Sequence, residues 1–237
     1  MPKVYFVGAG PGDPDLITVK GKGLLDGADV LIYAGSIVSQ ALVDRCPAPV
    51  KLNSWGMSLE ETGQAIQQAL DGGKKVVRLH SGDPSIFGSI VEQIDDLQRR
   101  GIEVEVVPGV SSMFAAAAAL QTQLTLKGVS ETVIVTRPMG TTLESDSIPE
   151  LSKLGASLVI FLGTDKLESI TGRLQCPRDT PAAVVYHASW PDQKVVKGTV
   201  ADIAQKAKDA GIERTALIIV GGIVEPLTRY QRSVLYS

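Results

Sequence analysis

In the first half of the chain, apolar β-rich runs alternate with helical patterns, and that alternation restricts the fold more than any other feature. The runs are 3–7 (KVYFV), 29–33 (DVLIY), 76–80 (VVRLH) and 102–107 (IEVEVV). Helical patterns lie between them at 16–27, 36–45, 58–72 and 88–100. In the last of these, Ile90, Val91, Ile94 and Leu97 recur at helical spacing, with Glu92, Asp95, Asp96 and Arg99 between them. Strand–helix alternation requires crossover connections, so it predicts a mainly parallel sheet with helices on both faces.

A strong helix former follows at 111–120 (SSMFAAAAAL), opened by serines suited to capping. Near 121–129 the pattern changes. The second half carries strand-like runs at 131–136, 158–164, 182–188, 195–200 and 215–221, and helical patterns at 147–155, 165–174 and 200–211. The expectation is two α/β domains, residues 1–120 and 121–237, the second built on a mixed sheet, with a junction at about 118–128.

Bulk properties narrow the function. The 237 residues are 44% hydrophobic and 21% charged, ordinary values for a globular chain. The net charge of −3 argues against a nucleic-acid binder, which needs a basic face. Cys46 and Cys176 form no CxxC pair and, with only two histidines in the chain, supply no zinc cage, so no metal site is expected. Residues 1–30 lack the charged start, apolar core and cleavage site of a secretory signal, and no apolar run nears the ~18 residues of a membrane span. The expected setting is cytoplasmic.

Three distinctive loops follow three of the predicted strands. Gly8-Ala9-Gly10-Pro11-Gly12-Asp13 follows the first, Ser81-Gly82-Asp83-Pro84 follows VVRLH, and Pro108-Gly109-Val110-Ser111-Ser112 follows EVV. Open parallel sheets bind ligands beyond the carboxyl ends of their strands, so three such loops on one edge predict a site. The ligand is not a dinucleotide. Gly8 and Gly10 fit G-x-G-x-x-G, but the third glycine position holds Asp13, and the strand ending at Tyr33 has no acid for a ribose. Pro11 has no N–H to offer a pyrophosphate, and Asp13 would repel one. No Gly-Lys-Ser/Thr completes a P-loop. Acids beside a glycine-opened loop suit a ligand with hydroxyls, an amino group or positive charge.

GAGPGDPDLIT (8–18), SGDPSIFG (81–88) and VPGVSS-x-x-AAAA (107–118) resemble the signature segments of the tetrapyrrole (corrin/porphyrin) methyltransferases. LVIFLGT (158–164), VVYHASW (184–190) and TALIIVG (215–221) resemble that family's C-terminal strands. The resemblance implies the tetrapyrrole methylase fold, a homodimer, and S-adenosylmethionine as cofactor: a cationic sulfonium with a ribose and an amino acid end. Several stretches, among them Tyr33-Ala34-Gly35-Ser36, Met57-Ser58-Leu59-Glu60-Glu61, Val135-Thr136-Arg137 and Tyr186-His187-Ala188-Ser189-Trp190-Pro191-Asp192, look like the branch that methylates carbon 11 of precorrin-4 or cobalt-precorrin-4. Ala34 stands where the uroporphyrinogen III methylases carry an Asp. Gly140-Thr141-Thr142 departs from a Gly-Arg-Thr usual in the C-11 branch, so an arginine for a substrate carboxylate is missing there or supplied elsewhere.

By the same resemblance, the cofactor contacts are Pro11, Ser81, Gly82, Asp83, Ile86, Ser111 and Ser112 from the first half, with Leu162, Ala188 and Ala216 from the second. Tyr33, Ser36, Met57 and His187 are the substrate candidates. Arg78, Arg137, Lys127 and Lys51 are the cations nearest the relevant loops for a macrocycle rich in carboxylates. His80 ends a buried strand and reads as core. The implied chemistry asks little of side chains. A pyrrole-type nitrogen pushes density onto a ring carbon that attacks the sulfonium methyl, and the carbon methylated has no hydrogen to lose. Alignment alone is then worth up to ~7–11 kcal/mol, and no nucleophile or strong base is assigned. The rival readings differ in acceptor or class: methylation at another precorrin position, of RNA or of a protein histidine derivative on the same fold; a non-catalytic adenosine-ligand sensor; and a nicotinamide oxidoreductase.

Overall fold

The computed structural model describes residues 2–35, 37–228 and 230–232. Contacts divide the chain into two compact units, residues 1–112 and 113–237.

The first unit holds five strands: β1 (Lys3–Gly8), β2 (Val30–Tyr33), β3 (Val50–Asn53), β4 (Val76–His80) and β5 (Glu103–Val107). They form one sheet in the order β3-β2-β4-β1-β5, and every pairing is parallel. Helices α1 (Val19–Asp26), α2 (Gln40–Arg45), α3 (Leu59–Asp71) and α4 (Ile90–Arg99) make the crossovers. The sheet is covered on both faces, as the alternation requires. Val7, Leu31, Val77, Leu79 and Val107 pack with Leu25, Leu42 and Val43 on one side. Phe6, Val30, Ile32 and Val76 pack with Ile66 and Leu97 on the other. Helix α3 starts at a full capping box, the Ser58 side chain accepting from Glu61 N–H and Glu61 accepting from Ser58 N–H.

Strand β3 is absent from the sequence reading. It is an edge strand whose Val50, Lys51 and Asn53 are exposed, so it lacks the apolar run that marks a central parallel strand. Helix α2 begins at Gln40, four residues later than expected.

The second unit opens with α5 (Ser112–Ala119) and holds β6 (Val133–Thr136), β7 (Ser157–Ile160), β8 (Pro181–Tyr186), β9 (Lys194–Thr199) and β10 (Ala216–Val220). The sheet order is β6-β7-β10-β8-β9, with β6 and β7 parallel and the other pairs antiparallel. Helices α6 (Ile148–Leu151), α7 (Leu167–Arg173) and α8 (Ile203–Asp209) cover one face through Ile148, Ile170, Ile203 and Ala207. The alanine helix α5 covers the other: Ala115, Ala116 and Leu120 pack on Val159, Ala183, Val185 and Ile219. That packing puts the helix with the second sheet, so the division falls at 112/113, ahead of residue 120.

Two strands end sooner than their apolar runs predict. β7 stops at Ile160 rather than residue 164, and β8 at Tyr186 rather than residue 188. Just beyond, Leu162 (φ 53°) and His187 (φ 45°) take left-handed backbone, which ends the ladder.

Candidate active site

Because β1, β4 and β5 are parallel neighbours, their three following loops leave one edge of the first sheet. Glycines lock those loops to each other. Gly10 and Gly82 pair as an isolated antiparallel bridge, Gly82 N–H donating to Gly10 O at 2.9 Å and Gly10 N–H to Gly82 O at 3.2 Å. Ala9 N–H donates to His80 O at 2.7 Å. A Cβ on Gly8 would stand 2.5 Å from Gly109 Cα and 2.7 Å from Gly82 O, so no other residue fits there. The close approach these glycines permit is therefore first of all between loops.

Asp83 adds a side-chain tie. One carboxylate oxygen accepts from Ser85 N–H at 2.8 Å and from Ser85 Oγ; the other accepts from Gly109 N–H at 2.8 Å. Partial burial pulls this carboxyl upward, but the hydrogen bonds from Ser85 and Gly109 outweigh it and hold it below the usual 3.8. Asp83, expected among the cofactor contacts, is thus engaged in joining the second loop to the third. Ser111 is buried, and Pro11, Ser81, Ile86 and Ser112 are half-buried on the same edge. Gly82 sits at φ 59°. A Cβ there would meet Ser111 Cα at 3.7 Å and Ser112 N at 3.8 Å, ordinary contacts, so the left-handed backbone rather than a clash is what favours glycine.

Tyr33 ends β2 at the same edge, and Met57 lies in the loop after β3. Both are half-buried, and Met57 lines a surface cleft with Trp55, Glu61 and Gln64. Ser36 lies outside the described residues. Lys51 and Lys127 are exposed, whereas Arg78 is buried on β4. His80 is also buried, 5.0 Å from the Phe6 ring, and its Nε2 has no hydrogen-bond partner among the described residues. Burial, then the charge of Arg78, pushes its pKa down to about 3.

In the second unit, the register places Leu162, Ala188 and Ala216 at one sheet edge. Ile160 pairs with Ile218 and Tyr186 with Ala216, so the chain leaves β7 and β8 where β10 begins. Leu162 is 60% exposed, an apolar side chain held outward by strained backbone. Ala188 is buried. The Thr164 hydroxyl donates to Ala216 O at 3.0 Å and accepts from Ala216 N–H at 3.1 Å, fixing the first residue of β10. His187 Nδ1 lies 3.0 Å from both Asp192 carboxylate oxygens. Its ring stacks on Tyr186 (3.8 Å between centroids) and Trp190 (4.8 Å). The hydrogen bond from His187, foremost, holds the Asp192 carboxyl low. Arg137, at the end of β6, donates to Thr142 Oγ at 2.8 Å.

Residues 3–204 match the tetrapyrrole (corrin/porphyrin) methylase family. The chain belongs to the tetrapyrrole (corrin/porphyrin) methylases. This methylase is 51% identical to the cobalt-precorrin-4 C(11)-methyltransferase of Methanocaldococcus jannaschii, over 99% of its own length and 93% of the relative's. Its structure is similar to that of a cobalt-precorrin-4 methyltransferase of cobalamin biosynthesis: TM-score 0.91, 43% identity, covering 94% of this chain and 96% of that one. It is also similar to a uroporphyrin-III C-methyltransferase from Thermus thermophilus solved with S-adenosylhomocysteine: TM-score 0.80, 29% identity, 94% and 93% covered. The resemblance drawn from the three loops thus names the right family.

Sequence reasoning missed the residues that brace these candidate loops rather than line them. Asn53 and Ser54 follow from the unseen strand β3. Gly8, Gly109 and Thr164 were quoted only as parts of motifs, and their backbone roles appear only when neighbouring loops are in place.

Proposed function

We propose that the chain transfers a methyl group from S-adenosylmethionine to carbon 11 of precorrin-4 or cobalt-precorrin-4, forming the corresponding precorrin-5 in cobalamin biosynthesis. The observation that carries this reading is the near full-length match to a C(11)-methyltransferase at half identity. When bound, S-adenosylmethionine supplies an electrophilic methyl on a positive sulfur. The residues fit such a group. The loops at the first sheet edge offer serine hydroxyls, backbone and the acid Asp13 where a phosphate site would want lysines.

In this reading Pro11, Ser81, Gly82, Ile86, Ser111 and Ser112 hold the cofactor from the first unit, with Asp83 keeping their loops in register. Leu162 lends apolar cover, and Ala188 and Ala216 lend close, small surfaces from the second. Tyr33, Met57 and His187 take the acceptor ring, His187 oriented by Asp192. The chain orients and excludes water; it contributes no covalent nucleophile. The protein is a cytoplasmic homodimer that takes a small acidic macrocycle and no nucleic acid. The net charge of −3 supports the last point, and light scattering at twice 25.0 kDa would bear out the dimer.

The test is incubation with 13C-methyl S-adenosylmethionine and precorrin-4, with and without cobalt. The new methyl should appear on C-11 by NMR. A methyl on another ring carbon, or none with either acceptor, would refute the assignment.

A further inference from the structure

Arg78 presents a physical puzzle. It lies in the middle of a central strand, 8% exposed, and forms no salt bridge with a carboxylate among the described residues. Burying a guanidinium without a countercharge is costly, and burial alone pulls its pKa down to about 10. The strand has no packing need for arginine: the neighbouring positions in register are Phe6 and Ile32, both apolar.

Its hydrogen bonds show what it does. Arg78 Nη1 donates to Ser54 Oγ at 2.7 Å, and Nε donates to Gln93 Oε1 at 3.4 Å. Ser54 is itself buried. Its hydroxyl donates onward to Tyr33 O at 3.2 Å, its N–H donates to the same carbonyl at 2.8 Å, and its carbonyl accepts from Met57 N–H at 3.1 Å. Beside it, Asn53 Oδ1 accepts from Gly35 N–H at 3.0 Å and Trp55 N–H at 2.9 Å. A Cβ on Gly35 would run into the Asn53 side chain, 2.8 Å from its Cγ. Two loops from adjacent strands, 33–35 and 54–57, are therefore tied together at Asn53 and Ser54. Arg78 is the charged anchor beneath the knot.

We propose that Arg78 is a positioning residue for the acceptor: through Ser54 it holds the 33–35 and 54–57 segments in the arrangement that receives the macrocycle. This rests on the proposed reading that Tyr33 and Met57 meet the acceptor. The charge earns its place because a cationic donor makes a shorter and stronger bond to Ser54 Oγ than a neutral one, and polarises that hydroxyl toward Tyr33 O. The cofactor loops hang on other bonds, the Gly10–Gly82 bridge and Asp83, so the effect separates by ligand.

The test uses Arg78→Met, Arg78→Lys, Ser54→Ala and the Arg78→Met/Ser54→Ala pair in the full chain. In Arg78→Met the KM for precorrin-4 should rise about tenfold or more, the loss of one charge-assisted hydrogen bond, while S-adenosylhomocysteine affinity changes less than about twofold. Arg78→Lys should recover part of the loss. The double variant should lose little more than either single one, as two members of one network do. Hydrogen exchange without acceptor gives a readout independent of the acceptor's identity: amides 34–35 and 55–57 should exchange faster in Arg78→Met, and those of 81–85 should not. If Arg78→Met fails to fold, Ser54→Ala alone must show the same split. Equal loss of affinity for both ligands, additive effects, or unchanged exchange at 34–35 and 55–57 would overturn the proposal. Absence of turnover in the unaltered protein, with the exchange result intact, would fault the acceptor assignment instead.

Discussion

The edge of the first sheet and the edge of the second solve opposite problems with backbone. At the first, Gly10 (φ 81°) and Gly82 (φ 59°) take the left-handed positions where the loops meet, Phe87 (φ 53°) and Ser89 (φ 47°) take two more farther along the second loop, and Gly8 and Gly109 fill spots where no side chain fits. Main chain there rests on main chain. At the second, Leu162, His187, Ser189 and Thr215 take positive φ with their side chains kept. A left-handed non-glycine residue costs about 1–2 kcal/mol, so four of them at one edge mark a surface where the side chain presented matters more than local ease. The first edge is built for closeness between loops, the second for display.

The largest effect that sharpens this contrast is expected at Gly8. Gly8→Val forces atoms into Gly109 and Gly82 and should cost roughly 3 kcal/mol or more of stability by urea denaturation. A variant near native stability would show that the loops are not interlocked. Gly82→Ala should cost about 1–2 kcal/mol from its left-handed backbone, and weaken S-adenosylhomocysteine binding by calorimetry. Full affinity would remove Gly82 from the cofactor loop.

Acid should act on the first sheet through His80. Folded His80 stays neutral down to about pH 3, while the unfolded chain takes up its proton near 6.5. The unfolded state then holds more protons across that window, so stability falls as pH drops through it. The slope due to this one group is at most about 1.4 kcal/mol per pH unit. His80→Phe should flatten the slope; an unchanged slope would mean that the ring is not held neutral. The smallest effect is at Leu162. Leu162→Gly relieves backbone strain at an exposed position and should raise stability by no more than about 1 kcal/mol. It should also weaken S-adenosylhomocysteine roughly tenfold through lost apolar cover. A destabilised variant that still binds fully would reverse the reading of that edge.

The fold was legible where residues obey one period. Val76–His80 and Lys3–Val7 read as parallel strands because both faces are largely apolar, and the intervening helical patterns place the crossovers. Strand β3 was not legible, since an exposed edge strand such as Val50–Asn53 needs little apolar content. The ends of β7 and β8 were overrun because LVIFLGT and AAVVYHA stay apolar past the point where the chain turns; apolar character records burial or display, not φ. Asp83 shows the same limit at the site. The sequence places it in the cofactor loop, but only the fold brings Gly109 N–H to its carboxylate.

The most direct measurement is a crystal structure with S-adenosylhomocysteine. The product's amino acid end is expected against Ser81–Asp83 and Ser111–Ser112, with its adenine against Leu162, Ala188 and Ala216. Density elsewhere, for instance in the second unit's cleft lined by Ser152, Gln175 and Cys176, would contradict the assignment of both edges.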